Sequence, residues 1–467
     1  MEKEHTPPNY RLGYIWTVCL VAAMGGLLFG YDWVVIGGAK PFYEKFFNLT
    51  SSSQVGWAMS SALIGCLAGA VLSGGLSDRF GRKRLLILAA ILFTITSVGT
   101  ALAGSFTMFI FCRLCGGVGI GLASNLSPMY IAEVSPAKIR GMFVSINQLT
   151  IVIGVLSAQL INWLIAKPVP AGATALEILN SWNGQTGWRW MFGATAVPAL
   201  FFFVFMFLVP ESPRWLAKNS KDLKAKRVLA RIGGEPYSVQ ALAEIKETLV
   251  NEVVRVNFRD LLEPRMMKVL WIGVILAVFQ QWCGINVIFN YAEEVFSAAG
   301  YNISGILLNI VITGAVMLVF TFVAIFTVDR VGRRILMLTG SAGLAVTYIL
   351  IGASYHAGIK GVLVLILVVA AIACYSFSLA PITWVILSEI FPNRIRGAAM
   401  SVSVFALWFG CFTLTYTFPL LHRNLGPAFT FWIYALICVA GFFFVKSRLP
   451  ETKGKSLEEI EKELVNG

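Results

Sequence analysis

One carboxylate lies inside the first long apolar segment, where Asp32 follows a glycine-rich run that includes Gly25, Gly26 and Gly30. An ionisable side chain at membrane depth costs roughly 3 kcal/mol on insertion scales, so its presence there indicates a function. Glycines permit close approach by neighbouring helices or by a ligand. We predict that this segment is the proton-bearing wall of a transport site.

Arg113 is the expected partner of this carboxylate. It lies early in the fourth apolar segment, and because the first and fourth segments run in opposite directions, Asp32 and Arg113 fall at similar depth. Pairing with the guanidinium favours the charged carboxylate, whereas burial without it favours the neutral acid. A conformational change that alternates these environments moves a proton, driven electrically by roughly 2.3 kcal/mol per charge per 100 mV. The alternative is a static ion pair between the two helices.

Other reactive residue types do not compete for this chemistry. The three histidines, His5, His356 and His422, lie in the tail or in outer loops. Cys112 and Cys115 form a C-x-x-C pattern inside an apolar segment with no second pair nearby, which favours packing over redox or metal chemistry. The sequence contains no nucleophile–base set, metal-ligand cluster or phosphate-binding glycine loop, so we expect no enzyme activity, cofactor or metal.

The elements that must position these residues are membrane-spanning helices. Of the 467 residues 57% are hydrophobic and 13% are charged, and the mean hydropathy is +0.75, outside the range of soluble globular proteins. Apolar runs of about 20 residues, which cross a bilayer as a helix, recur along the chain. We predict an all-α membrane protein with twelve spans, near 13–38, 55–76, 85–103, 107–132, 143–166, 188–209, 269–292, 305–328, 335–354, 361–388, 400–420 and 429–446.

The net charge of +13 sets orientation and does not indicate nucleic-acid binding. Basic residues cluster after even-numbered spans, as at Arg82 and Lys83, and are sparse in the opposite connections. By the positive-inside rule both termini are cytoplasmic. Residues 1–11 carry no signal-peptide pattern. Short outer loops favour a bacterial inner membrane, where we expect a monomer in the lipid bilayer.

Three signatures occur twice in the same order. Residues 78–82 match 329–333, residues 133–141 match 389–397, and residues 210–214 match 450–454. The chain is therefore predicted to consist of two six-helix bundles of like design, with the substrate site where they face each other. We place these bundles at 1–216 and 266–448, amphipathic cytoplasmic helices at 217–265, and a cytoplasmic tail at 449–467.

Opposite charges recur at the cytoplasmic helix ends. We expect Asp78 to pair with its basic neighbours, Glu133 with Arg140, and Glu389 with Arg396. Such pairs either anchor loops at the headgroup level or hold the cytoplasmic side shut in one conformation and separate in the other. Their repetition in both halves favours a gate. The residues assigned to it are Asp78, Arg79, Arg82, Glu133, Arg140, Glu211, Arg214, Asp329, Arg330, Arg333, Glu389 and Arg396.

Several motifs in register resemble those of one transporter family. They are Asp-Arg-x-Gly-Arg at 78–82 and 329–333, Pro-Glu-Ser-Pro-Arg-Trp at 210–215, Gln-Gln-x-x-Gly-Ile-Asn at 280–286 and Pro-Glu-Thr-Lys-Gly at 450–454. Together they cover essentially the whole chain and resemble the sugar porter family of the major facilitator superfamily, most of all its bacterial proton-coupled xylose symporters. The resemblance implies a twelve-helix rocker-switch carrier for a monosaccharide. Proton-coupled members carry Asp at the position of Asp32 and facilitators carry Asn, which supports proton coupling.

The resemblance also implies sugar contacts at Phe29, Gln148, Gln280, Gln281, Asn286 and Trp384. Amides suit sugar hydroxyls because both groups donate and accept, and an indole ring suits the apolar face of a sugar. The alternative for each amide is a hydrogen bond between helices. Gln280 and Gln281 point about 100° apart on an ideal helix, so they share one cavity only obliquely or where the helix breaks near Gly284.

Four positions depart from the family pattern. Leu407, Cys411 and Met317 stand where polar residues are common, and Asn290 stands where an aromatic residue is usual. A site that lacks a partner for one hydroxyl discriminates against the sugar that bears it. The sequence therefore predicts import of a pentose or hexose with a proton. A facilitative uniporter and a non-transporting sugar sensor are the alternatives.

Overall fold

The computed structural model describes residues 10–170, 172–251, 261, 263–391 and 396–453, and all regular structure in that part is helical. In chain order the helices are α1 (Leu12–Phe46), α2 (Ser52–Phe80), α3 (Arg82–Ala101), α4 (Phe106–Val134), α5 (Arg140–Ile165), α6 (Ala175–Asn180), α7 (Trp188–Gly193), α8 (Ala196–Met206), α9 (Pro213–Lys218), α10 (Asp222–Asn251), α11 (Pro264–Trp282), α12 (Ile285–Asn290), α13 (Ala292–Ala298), α14 (Ile303–Val331), α15 (Arg333–His356), α16 (Val362–Ser376), α17 (Leu379–Ile390) and α18 (Arg396–Arg448).

Eleven segments of the described chain are long and apolar enough to cross a membrane. The last, Ala398–Arg448, has 51 residues, more than twice the length that one crossing needs. It is broken at Gly426, where φ is 78°, so its two arms are separate crossings. The eleven segments thus make twelve crossings, and the predicted all-α architecture is confirmed.

An even number of crossings returns the chain to the face where α1 begins. We call this the terminal face and the other the opposite face. The linker helix α10 lies at the terminal face, because the Arg11 N–H donates to the Ile232 carbonyl at 2.9 Å and the Tyr10 ring packs 5.5 Å from that of Tyr237.

In the predicted linker at 217–265, α10 extends from Asp222 to Asn251 and is broken at Gly234, where φ is 83°. Its residues 252–260 and 262 lie outside the described residues.

The first helix is longer than predicted. It ends at Phe46 and not near residue 38, and it contains Lys40, which is buried. Phe42 and Tyr43 are also buried and continue the apolar pattern. The lysine can be buried in the helix because acidic side chains surround its ammonium group.

Glycines bring α1 and α5 into backbone contact, as their sequence pattern predicts. A Cβ at Gly30 would lie 1.9 Å from the carbonyl oxygen of Ile151, and a Cβ at Gly154 would lie 2.1 Å from that of Leu27. Any side chain at these positions would therefore push the helices apart. The wall that carries Asp32 is held tightly against α5.

The seventh and tenth crossings are each made of two helices. The break between α11 and α12 falls at Gly284, which has a φ of 88°. A Cβ at this position would lie only 2.7 Å from the Tyr434 ring, so no side chain fits there. The break between α16 and α17 falls at Phe377 and Ser378. Discontinuous helices of this kind expose polar groups to a site between two bundles.

Candidate functional site

Asp32 and Arg113 form a buried ion pair within the N-terminal half. Arg113 Nη1 donates to Asp32 Oδ2 at 2.8 Å, and the side chains are 5% exposed for Arg113 and 10% for Asp32. The guanidinium carbon also lies over the Phe192 ring, 5.5 Å from its centroid. The expected contact between α1 and α4 is present. Removing either partner would leave a buried charge uncompensated, at a cost of about 3–5 kcal/mol.

Aromatic rings from both halves meet beside this pair. The ring of Phe29 in α1 lies 5.8 Å from that of Trp408 in α18, and the ring of Trp33 lies 6.0 Å from that of Phe289 in α12. The cavity that Arg113 lines with three of these rings has a volume of about 10 Å³, room for about one water molecule. The two halves are in contact at this level, and no sugar fits there in this conformation.

Three of the amides that the resemblance assigns to sugar binding form one hydrogen-bonded chain. Gln281 Nε2 donates to Gln280 Oε1 at 3.1 Å, and Asn286 Nδ2 donates to Gln281 Oε1 at 2.5 Å. Gln280 Nε2 donates to the Ala380 carbonyl of α17 at 3.3 Å. Asn286 Oδ1 has no partner among the described residues. The break at Gly284 therefore brings the amides together and leaves an acceptor for a hydroxyl group.

The other predicted sugar contacts lie on different helices. Gln148 is half-buried on α5 and makes no hydrogen bond within the described chain. Trp384 on α17 is 37% exposed. Phe29 is half-buried and packs on Trp408. The hydrogen bonds of the amide chain include neither Gln148 nor Trp384.

The four positions that depart from the family pattern are all buried. Cys411 Sγ accepts from Asn286 Nδ2 at 3.6 Å, so a thiol contacts the amide chain. Leu407 and Met317 are buried and offer no hydrogen bond. Asn290 lines the same small cavity as Arg113, and its Oδ1 has no partner in the described part of the chain.

Sequence reasoning missed Gln159 on α5. It is 1% exposed, and neither polar atom of its amide has a partner among the residues that the structure describes. It faces the other half, because a Cβ at Gly314 in α14 would lie 1.9 Å from Gln159 Oε1. The sequence signal that could have identified Gln159 is its spacing from Gln148. Gln159 follows Gln148 by eleven residues, which returns it to nearly the same helix face.

The N-terminal half carries a charge network at the terminal face. Arg82 Nη2 lies 2.9 Å from Glu133 Oε1, and Arg82 Nη1 lies 3.3 Å from Asp78 Oδ1. Glu211 Oε1 accepts the backbone N–H groups of Arg82 and Lys83 at 3.0 and 3.1 Å. Burial raises the pKa of the Glu211 carboxyl, although these N–H groups favour its charged form.

The C-terminal half repeats this network. Arg333 Nη2 lies 3.3 Å from Glu389 Oε1, and Thr452 Oγ1 donates to Glu389 Oε2 at 2.6 Å, as Ser212 Oγ does to Glu133 Oε2. The backbone N–H of Arg333 donates to Glu451 at 2.9 Å. The sequence repeat therefore corresponds to a repeat of hydrogen bonds.

One predicted pair is wrong and others lie outside the description. Glu133 pairs with Arg82 and not with Arg140, which is exposed at the start of α5, because Arg82 already occupies the carboxylate. The side chains of Asp329 and Arg396 fall outside the described part, as does all of 392–395. Of the other predicted gate residues, Arg79 and Arg330 are exposed and Arg214 lies in α9.

Comparisons with known proteins cover almost the whole chain. Residues 18–464 match the family model described as sugar (and other) transporter. The chain is 40% identical to the D-xylose-proton symporter of Escherichia coli, over 97% of this chain and 96% of that protein. It is 38% identical to the arabinose-proton symporter of Bacillus subtilis, with coverage of 97% and 96%. An inward-open structure of the E. coli xylose transporter matches with a TM-score of 0.83 at 39% identity, over 96% of this chain and 99% of that one.

Proposed function

The chain belongs to the sugar transporter family, as its motifs predict, and on that premise we propose that it imports a pentose or hexose together with a proton by alternating access. The observation that carries this proposal is the buried Asp32–Arg113 pair beside a contact between the two halves. A carboxylate in that position changes its surroundings whenever the halves separate. The named relatives that are proton symporters support the same reading.

Asp32 is the proton carrier in this proposal. In the present conformation the Asp32 side chain is paired with Arg113 at 2.8 Å. Solvent entry between the halves would loosen this pair and let the acid bind a proton, and closure would return it to the guanidinium. The facilitative uniporter remains the competing function, in which the pair is static and Asp32 never turns over.

The sugar would bind where the amide chain faces the N-terminal half. Gln280, Gln281 and Asn286 supply donors and acceptors for a row of hydroxyl groups, and Gln148 supplies another from α5. Trp384 and Phe29 supply aromatic faces for the apolar side of the ring. Because Leu407 and Met317 offer no hydrogen bond, the preferred sugar is expected to differ from that of relatives with polar residues there.

The remaining assignments concern placement in the cell. The chain is a multi-pass integral membrane protein, and we place the terminal face in the cytoplasm of a bacterium with the helices in its inner membrane. The two bundles are assigned to 1–216 and 266–448, the linker to 217–265 and the tail to 449–467, and the monomer is the functional unit. The charge networks around Arg82 and Arg333 are placed at the cytoplasmic ends of the helices, each within one half.

Uptake into right-side-out vesicles tests the proposal. The wild type should accumulate labelled pentose or hexose above the external concentration when an inward proton gradient is imposed, and only equilibrate it without one. Asp32→Asn should abolish accumulation and keep exchange of sugar. Glu177→Gln, which removes an exposed carboxylate from α6, is the matched control and should accumulate normally. Accumulation that survives Asp32→Asn would contradict the assignment of the proton site.

A further inference from the structure

Lys40 lies in an unusual environment near the end of α1. Its side chain is 3% exposed, and its ammonium nitrogen contacts three carboxylates, at 2.9 Å from Glu44, 2.9 Å from Glu293 and 2.8 Å from Glu294. An ammonium group has three donors, so this lysine is fully paired. We call these four residues the Lys40 cluster.

The Lys40 cluster connects the two halves. Lys40 and Glu44 belong to α1, whereas Glu293 and Glu294 belong to α13, which follows the seventh crossing. On the inner side of the cluster, Gly37 approaches the backbone of Phe289 so closely that a Cβ would lie 2.4 Å from its carbonyl oxygen. The cluster therefore lies over the contact that separates the central site from the opposite face.

Solvent reaches the cluster from the opposite face. A cavity of about 430 Å³ lies against it, lined also by Lys45, Ser297 and His422. The three glutamate side chains are 17–21% exposed while Lys40 is 3% exposed. The glutamate side chains therefore border this cavity, and the lysine lies between them and the protein interior.

Charge balance makes the cluster dependent on Lys40. Three carboxylates that face one ammonium group carry an excess of negative charge, and burial raises the pKa of the Glu294 carboxyl to about 7. Without the lysine, Glu44 from one half would face Glu293 and Glu294 from the other. Like charges placed together repel each other, so loss of Lys40 would push the halves apart on this face.

We propose that the Lys40 cluster is the extracellular gate, an interdomain ion cluster that holds the outer side closed and must break before the site opens outward. The proposal rests on the alternating-access function proposed above. It assigns a role in the transport cycle to Lys40, which lies outside the sugar and proton sites proposed above. In the outward-open conformation, solvent would surround the carboxylates of α13 and the end of α1.

Alkylation of the native Cys66 measures this opening. Cys66 is 1% exposed and lines the small cavity beside Arg113, so a reagent from outside reaches it only when the outer side opens. Right-side-out vesicles are treated with a membrane-impermeant maleimide, and the label is located by mass spectrometry. Lys40→Met should raise the rate at Cys66 about tenfold over wild type, and Lys40→Arg should leave it near the wild-type rate.

A matched control and a second variant secure the test. Lys45→Met removes a half-buried lysine from the same helix that pairs with none of the described carboxylates, and it should not change the rate. Glu293→Lys places a second cation beside Lys40 from the other half and should also speed labelling. Glu293 is 21% exposed, so this change tests the gate even if Lys40→Met fails to fold.

The outcomes separate the gate from the proposed function, because labelling needs neither sugar nor a proton gradient. Unchanged labelling in folded Lys40→Met or Glu293→Lys overturns the gate, whatever the uptake results. Faster labelling only in inverted vesicles, whose cytoplasmic face meets the added reagent, also overturns it, since the cluster would then face the cytoplasm. Labelling that depends on Lys40, in a protein that never accumulates sugar, supports the gate and contradicts proton-coupled import.

Discussion

The two faces of the membrane domain differ in what their ion pairs connect. On the terminal face, the pairs Arg82–Glu133 and Arg333–Glu389 each join helices of one half. On the opposite face, Lys40 joins both halves. A pair inside one bundle moves with it as a rigid body, whereas a pair between bundles breaks when they separate. The first kind stabilises a half, and the second reports on the conformation.

The largest effect is expected on the opposite face, at Gly37. A Cβ there would meet the backbone carbonyl oxygen of Phe289 at 2.4 Å, and a backbone atom cannot rotate away as a side chain can. Gly37→Ala should therefore keep the halves apart on this face. We expect sugar uptake to fall at least about tenfold and alkylation of Cys66 from outside to rise, both measured in right-side-out vesicles.

Gly75→Ala in α2 is the control, because a Cβ at Gly75 has nothing within 4 Å. Its uptake and labelling should match the wild type. Normal uptake by Gly37→Ala would show that the α1–α12 contact is not used during transport.

An intermediate effect is expected on the terminal face, where the two halves can be compared. The charged atoms of Arg82 and Glu133 lie 2.9 Å apart, and these side chains are 8% and 10% exposed. The charged atoms of Arg333 and Glu389 lie 3.3 Å apart, and these side chains are 14% and 22% exposed. Arg82→Ala should lower the free energy of unfolding by about 3 kcal/mol, and Arg333→Ala by about 1–2 kcal/mol. Thermal melting of the purified protein in detergent measures the difference.

The exposed Arg84 provides the control for this comparison, and Arg84→Ala should have the same melting temperature as the wild type. Neither Arg82→Ala nor Arg333→Ala should speed alkylation of Cys66 from outside, because both pairs lie within a half. Equal melting temperatures for the two variants would mean that burial does not set the strength of these pairs.

Much of the fold could be predicted because a membrane helix is specified locally. Apolar runs of about 20 residues and the distribution of basic residues need no knowledge of tertiary contacts. The ends of the helices were harder to predict from the sequence. α1 continues to Phe46 and buries Lys40, which is neutralised by Glu293 and Glu294, more than 250 positions away. No local pattern reports such a partner.

In the candidate site, too, some contacts could be predicted from the sequence and others could not. The contact of Asp32 with Arg113 could be predicted from depth alone, since two charges in antiparallel crossings have few other partners. The partner of Glu133 could not, because the choice between Arg82 and Arg140 depends on how α3 and α5 pack against α4. Gln159 lacked a recognised motif, and its orphaned amide is visible only beside Gly314 of the other half.

The smallest effect is a pH dependence of the opposite face, carried by Glu294. Burial in the closed cluster raises the pKa of its carboxyl to about 7, whereas a solvated glutamate has a pKa of about 4.3. The state with the higher pKa binds the proton more tightly, so acid stabilises the closed cluster, and this stabilisation is lost as the pH rises through about 7. The other titratable or charged groups around it are Lys40, Glu44, Lys45, Glu293, Tyr43, Tyr291 and His422.

Labelling of Cys66 from outside should therefore speed up several-fold between pH 6 and pH 8, beyond the change in maleimide reactivity itself. Glu294→Gln supplies that correction, because its amide stays neutral at every pH and keeps a hydrogen-bonding group near Lys40. The ratio of the wild-type rate to the Glu294→Gln rate should rise with pH and level off well above pH 7. A ratio that stays constant, or that falls as the pH rises, would mean that another group sets the pH response of this face.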